Sequence, residues 1–214
     1  IVADGMGGHR AGEVASSMVV THLGKRFNDL VTVGTKYDAT NWLKDNISEI
    51  NHHIVEYASN NPESKGMGTT VVVALLTHDF LLYANVGDSS GFAMKNGHLL
   101  KVTKDHTLVQ LLVQAGDLTE EEAKYHPKKN VLMKALGGEE DVVPDIYEVD
   151  MSFDAILLSS DGLTNMLSNE AIEKVLNDPE LSIEDKVVKL IRKCNARGGT
   201  DNISVAYLVK ESGE

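Results

Sequence analysis

The stretch GTTVVVALLTHDFLLYANVGDSS, residues 68–90, contains two apolar runs separated by Thr77-His78-Asp79. Runs rich in Val, Leu and Tyr and bounded by turn residues read as strands. The spacing predicts an antiparallel hairpin, Thr69 to Leu76 and Phe80 to Val86, so the sheet here is not a βαβ crossover. The second strand runs straight into Gly87-Asp88. Carboxylates are poor strand residues, and a buried one without a partner is costly. Fold and chemistry are therefore raised by the same segment.

Outward from this hairpin the pattern continues. GFAMKNGHLLKVT, residues 91–103, is a second hairpin with Asn96-Gly97 as its two-residue turn. DAILLSSDGL and DNISVAYLV supply two further apolar strands. Two long amphipathic helices precede the strands. In the first, about Ala11 to Leu30, Val14, Met18, Leu23, Phe27 and Leu30 fall near the helical period. In the second, Leu43, Ile47, Ile50, Ile54 and Ala58 form one stripe that ends at Ser-Asn-Asn-Pro. Late helices are expected at Glu170 to Asn177 and at Ile183 to Asn195. In the latter, Ile183, Val187, Leu190, Ile191 and Cys194 share a face and Ser182 is the N-cap. Residues 105–138 form an excursion on the rim of the sheet with two short helices, the second opened by a Thr119/Glu122 capping box. Helices, then strands, then an excursion, then strand, helices and strand fit antiparallel sheets with helices packed outside.

The 214 residues suit a single domain spanning 1–214. No apolar run approaches the roughly 18 to 20 residues a membrane helix needs, and membrane insertion is not expected. The formal charge of −12 argues against non-specific nucleic-acid binding and disfavours a metal-dependent nuclease. Cys194 is the single cysteine, so an internal disulfide is impossible and a reducing compartment, the cytoplasm, is expected.

The chemistry lies in a repeated pattern. Asp4 ends the apolar IVA, Asp88 ends LLYANVG, Asp161 ends AILLSS, and Asp201 opens NISVAYLV. Each meets an apolar strand at its end, and each has a glycine within two positions. No Lys or Arg adjoins three of the four. A single Asp-Gly is usually only a turn, and Val-Gly-Asp-Ser-Ser alone could be a hairpin end. Four together favour strand ends gathered at one sheet edge, where carboxylates repel unless cations lie between them. Oxygen-only donors select Mg²⁺ or Mn²⁺ over zinc. One carboxylate bridging two ions roughly 3.5–4 Å apart would pose a water for in-line attack on phosphate. The residues by themselves lead to a hard-metal hydrolase or a metal-binding domain.

VADGMGGHRAGEVAS, GMGTT, ANVGDSS, LLSSDGLTNML and GGTDNISV occur in the order found in bacterial members of the PPM family, the type 2C metal-dependent Ser/Thr protein phosphatases, and HPKKNVLMKALG resembles that family's segment after the flap. The resemblance covers nearly the whole chain. It implies an α+β fold, a four-layer αββα sandwich of two antiparallel β-sheets flanked by helices, with residues 105–138 as the flap insertion. It implies two Mn²⁺ or Mg²⁺ ions bridged by Asp4, with the Gly5 carbonyl on one, Asp161 and Asp201 on the other, and Asp88 on a third, weaker ion. Asn165 and Asn202 would order water around them. A bridging water would then hydrolyse phosphoserine or phosphothreonine without a covalent intermediate. The implied partners are phosphorylated Ser/Thr proteins, among them a cognate bacterial Ser/Thr kinase, met by a cytoplasmic monomer.

Three departures from the family pattern matter. The preceding strand pair with its Arg-x-x-Asn-Glu-Asp motif is missing, so the chain reads as N-terminally truncated. Met6 stands where eukaryotic relatives carry histidine, which makes His9 the candidate proton donor, with capping of the helix start as the equal alternative. Ser90 replaces the usual arginine, which predicts lower stability or activity. The competing reading is a catalytically weakened PPM-fold regulatory binding module. Cys194 is expected in the core, and Lys104, Lys134 and the histidines at 52, 53, 78 and 98 are expected to be incidental.

Overall fold

The structure is a computed structural model that describes residues 1–7 and 9–210, the side chains of His9 and Arg10 excepted. In chain order it runs β1 (Gly5–Met6), α1 (His9–Asn28), α2 (Lys36–Asn60), a 3₁₀ turn (Pro62–Ser64), β2 (Gly68–Thr69), β3 (Val71–Leu76), β4 (Leu81–Val86), β5 (Ser90–Lys95) and β6 (His98–Lys101). There follow α3 (Leu108–Ala115), α4 (Glu120–Tyr125), β7 (Asp145–Val149), β8 (Ala155–Ser159), α5 (Asp161–Thr164), α6 (Asn169–Leu176), α7 (Ile183–Ala196) and β9 (Val205–Val209).

The strands form two principal antiparallel sheets, one in the order β3-β4-β7 and one in the order β6-β5-β8-β9, beside a short β1-β2 pair. The expected hairpins are both present, with Val71 opposite Val86 and Leu76 opposite Leu81 in the first. In the second, Asn96 (φ 51°) and Gly97 (φ 79°) make the left-handed turn that a two-residue hairpin loop requires.

Side chains alternate across a strand, and this alternation divides the apolar residues among three cores. Val71, Val73 and Leu75 of β3 and Leu82, Ala84 and Val86 of β4 pack against α1 and α2. Val72, Leu81 and Tyr83, on the opposite face, meet Ala93, Ile156 and Leu158 of the second sheet. Phe92, Met94, Ala155 and Leu157 face away from the first sheet onto α5, α6 and α7. Three cores separate four layers, helix–sheet–sheet–helix. The fold is the α+β sandwich of antiparallel sheets flanked by helices.

Helix α2 follows its predicted stripe, with Leu43, Ile47, Ile50 and Ile54 buried and a Thr35/Asp38 capping box at its start. In α1 the buried line is Ala11, Ala15, Val19 and Leu23, at strict four-residue spacing, while Phe27 remains 44% exposed. The predicted face of α1 was thus rotated toward its larger residues. Small side chains line the buried stripe because α1 also approaches the backbone of β1: a Cβ on Gly5 would stand 2.1 Å from the carbonyl oxygen of Gly12. In α7, Leu190 and Cys194 are fully buried, whereas Ile183 is half-exposed at the helix start. Strand β7 was not foreseen. Its sequence, Asp-Ile-Tyr-Glu-Val, carries charge at Asp145 and Glu148, and among the described residues β7 is an edge strand paired only with β4.

Candidate metal centre

Each of the four aspartates lies where its strand or loop leaves the sheet, and local packing fixes each one differently. The backbone of Asp4 is held on both sides. Its N–H donates to the Thr70 hydroxyl at 3.0 Å. Its carbonyl accepts from the Thr70 N–H and from the Thr69 hydroxyl, each at 2.9 Å. The Thr70 hydroxyl also lies 2.6 Å from that of Ser89, so one buried threonine joins the Asp4 segment to the turn carrying Asp88.

That turn bends at Gly87, whose φ of +102° lies in the region glycine favours. A Cβ there would come within 2.6 Å of the Thr70 methyl, so glycine is also required by space.

Asp161 opens α5 directly after β8, and Asn165, one helical turn on, donates to its Oδ2 at 3.0 Å. The 160–163 turn and the 201–204 loop are clasped together. Ser160 N–H donates to the Ser204 carbonyl at 3.0 Å, and Ser160 Oγ donates to the Asn202 carbonyl at 3.1 Å. A Cβ on Gly162 would stand 2.3 Å from that same carbonyl. Strand β8 pairs with β9 in the register Ser159 to Val205, which places the aspartates at 161 and 201 at one edge of the sheet.

Electrostatics show that the side chains converge. Burial, then the charges of Asp161 and Asp201, push Asp4 up to about 7. Burial, then the charges of Asp161, Asp105 and Asp4, push Asp88 to about 7. Asp161 is raised by burial and by Asp201, against the hydrogen bonds it accepts. Among the described residues no lysine or arginine contributes to these three environments. Nor do any three His, Cys, Asp or Glu side chains among them crowd closely enough to enclose an ion without other donors. The carboxylates influence one another without closing into such a group. That suits Mg²⁺ or Mn²⁺, which take one or two carboxylates each and fill the remaining positions with water and other oxygens. An all-oxygen set in which burial and neighbouring carboxylates raise Asp4, Asp88 and Asp161 fits a hard divalent cation.

A groove of about 730 Å³ leads away from Asp88 and Asp161 between the flap helices and α5–α6. Gln110, Lys124, Lys129 and Met166 are among its walls. The flap, α3 with α4, has the predicted Thr119/Glu122 capping box.

The remaining sequence expectations sort cleanly. His9 opens α1, but its side chain, the expected proton donor, lies outside the described residues. Gly5 lies in β1 opposite Thr69, adjoining Asp4. Asn202 is exposed and uses its backbone, its N–H donating to Asp201 Oδ1 at 2.8 Å. Cys194 is fully buried, and burial raises its thiol pKa, as a core residue requires. Ser90 heads β5, fully buried opposite Ser159, and neither hydroxyl has a hydrogen-bond partner among the described residues. Lys134 is not merely solvated: its ammonium lies 3.2 Å from Asp145. Thr69, Thr70, Ser89 and His106 were not singled out by chemistry. The first three are ordinary strand and turn residues, and only their contacts with Asp4 and with one another make them supports of the site.

Comparison with known proteins places this geometry. A family model described as protein phosphatase 2C matches residues 1–203. The chain is 43% identical over 206 residues to the serine/threonine phosphatase stp of Listeria welshimeri, covering 96% of this chain and 81% of that protein. The crystal structure of serine/threonine phosphatase Stp1 from Staphylococcus aureus superposes with a TM-score of 0.91 at 38% identity, covering 99% of this chain and 82% of that one. The catalytic domain of the serine/threonine phosphatase PstP in complex with two manganese ions superposes with a TM-score of 0.81 at 35% identity, covering 95% of this chain and 83% of that one. With a full set of strand-end carboxylates in place, the reading as a weakened binding module is not favoured. The chain belongs to the protein phosphatase 2C family and is a metal-dependent protein serine/threonine phosphatase.

Proposed function

We propose that Asp4, the Gly5 carbonyl, Asp161 and Asp201 hold two divalent cations, Mn²⁺ or Mg²⁺, and that Asp88 holds a third more weakly. The observation that carries this reading is that, beyond burial, the charges of Asp161 and Asp201 raise Asp4 and the charge of Asp201 raises Asp161, although the three come from distant parts of the chain. The two manganese ions bound by PstP support the count. When bound, such cations supply the positive charge that makes water acidic enough to ionise near neutral pH and that offsets charge building on the phosphate oxygens.

The chain's own residues supply position and proton. Thr69 and Thr70 hold Asp4 by its backbone, so its carboxylate is presented at one angle. Asn165 orients Asp161 through the bond to Oδ2. The groove beside Asp88 and Asp161 receives the polypeptide on which the phosphoserine or phosphothreonine is carried. His9 donates a proton to the departing side-chain oxygen as the P–O bond breaks; the support is its position after Asp-Gly-Met-Gly-Gly. Phosphorylated Ser/Thr proteins, including a cognate Ser/Thr kinase, are the partners, and the enzyme acts as a monomer in the cytoplasm. Among the described residues no helix is long and apolar enough to cross a membrane.

The test is hydrolysis of a phosphothreonine peptide with and without Mn²⁺. Metal-dependent turnover is expected, and Asp161→Asn is expected to abolish it while the circular dichroism spectrum is unchanged. Turnover retained in that variant would remove the ligand assignment.

A further inference from the structure

The residue before Asp88 is held from outside its own hairpin by a single residue, through its ring and its backbone. His106 belongs to the segment that leads from β6 into the flap. Its Nδ1 accepts from the Gly87 N–H at 3.0 Å, and its own N–H donates to the Gly87 carbonyl at 2.9 Å. Both polar backbone atoms of Gly87 are thus tied to one residue. Asn85, fully buried, completes the clamp by donating from Nδ2 to the Gly87 carbonyl at 3.1 Å and to the Lys104 carbonyl at 3.0 Å.

The second ring nitrogen is placed by burial and charge. Because Nδ1 accepts, the neutral ring carries its proton on Nε2. That nitrogen is buried 3.3 Å from an Asp145 oxygen, without a hydrogen-bond partner among the described residues. Asp145 is in turn 3.2 Å from Lys134 Nζ. The same residue closes the root of the flap. Its carbonyl accepts from Met133 N–H at 2.8 Å, and the next residue, Thr107, bridges to Leu132. The outgoing and returning ends of the flap therefore meet at the residue that grips Gly87.

We propose that His106 is a positioning residue: by clamping Gly87 from the flap root it sets the Asp88 carboxylate in the metal centre. Any displacement of the flap root is then felt at Asp88 through two hydrogen bonds and no flexible linker. The inference rests on the reading of Asp88 as a cation ligand. Groups that orient metal ligands from behind are commonly worth 10- to 100-fold in affinity.

The two ring nitrogens can be tested apart, because asparagine places a polar atom near the position of Nδ1 and glutamine near that of Nε2. Mn²⁺ binding to the full chain is measured by calorimetry and by counting bound ions in the spin-resonance spectrum. The site lost in Asp88→Asn defines the Asp88-dependent ion. His106→Asn, which can still accept from Gly87, is expected to bind that ion within about threefold of the parent. His106→Gln is expected to bind it at least about 10-fold more weakly, with KM for a phosphopeptide changed far less than kcat. Equal Mn²⁺ affinities in the two variants would overturn the inference, because a merely structural ring would lower thermal stability in both without separating them. Should His106→Gln not fold, His106→Ala serves in its place against the same asparagine comparison. If Asp88→Asn leaves every Mn²⁺ site intact, the ligand reading of Asp88 fails first, and this inference fails with it.

Discussion

At the scale of single residues the centre is defined by carboxyl groups that hold their protons too tightly. Asp4 and Asp88 both rise to about 7, chiefly through burial and then through neighbouring carboxylates. The sign of the consequence follows from linkage. A carboxyl whose folded pKa lies above its unfolded value binds protons more tightly in the folded state. It contributes stability that is fully present below about 4 and lost as pH rises toward 7. The metal-free protein is therefore expected to lose thermal stability across that window, measured by its unfolding midpoint at successive pH values; a midpoint that rose between those pH values would contradict the assignment. A bound cation displaces the same protons. Titrating Mn²⁺ at pH 6 in two buffers of different ionisation enthalpy is expected to reveal proton release, and identical heats in the two buffers would show that these carboxyls are already ionised.

Single residues were also the most legible level in the sequence. The aspartates at 4, 88, 161 and 201 stood out because a charge at the end of an apolar strand needs a reason. Thr70 and His106 did not stand out. A threonine in a strand and a histidine in a loop are unremarkable until the chain brings Asp4 and Gly87 against them.

At the scale of elements, the site depends on two loops fitting without a side chain between them. Gly162 lets the turn after β8 rest on the Asn202 carbonyl, where a Cβ would be only 2.3 Å away. Backbone cannot yield as a flexible side chain would. Gly162→Ala is expected to push the 161 and 201 segments apart, weakening Mn²⁺ binding at least about 10-fold, in line with the loss of an orienting contact. Calorimetric titration of the purified variant checks this, and parent-like affinity would show that the loops tolerate the displacement. Helix α2 gives the complementary case, in which stability alone is at stake. Leu43 is fully buried against the first sheet, and Leu43→Ala is expected to cost about 2–5 kcal/mol. Denaturant unfolding measures the loss, while turnover below the transition should stay near that of the parent.

Periodicity foretold α2 because large residues filled its stripe, and it misjudged α1 because the first half of the buried line there is alanine. Small residues leave little trace in a hydrophobic pattern. They are chosen by the closeness of the partner backbone, which is a tertiary quantity. Strand β7 escaped notice for a related reason: at a sheet edge only part of each residue is buried, and its charged positions broke the apolar run.

For the whole molecule, four layers bring together residues from both ends of the chain. Strands β3 and β4 carry one wall of the site and β8 and β9 the other, and the core between the sheets locks the two walls in register. Metal should therefore act on the fold as a whole. Saturating Mn²⁺ is expected to raise the unfolding midpoint, with the increment growing with free ion concentration as mass action requires. A midpoint indifferent to Mn²⁺ in scanning calorimetry would mean that the carboxylates do not share a cation.

The apolar runs of its strands, the Asn96-Gly97 turn and the aspartates at strand ends were determined by the chain alone, because each depends on neighbours within a few positions. Which carboxylates became partners, which threonine and histidine hold their backbones, and which face of α1 is buried were decided only when the sheets stacked. Those choices depend on distances between segments up to about 200 residues apart, which local chemistry does not encode.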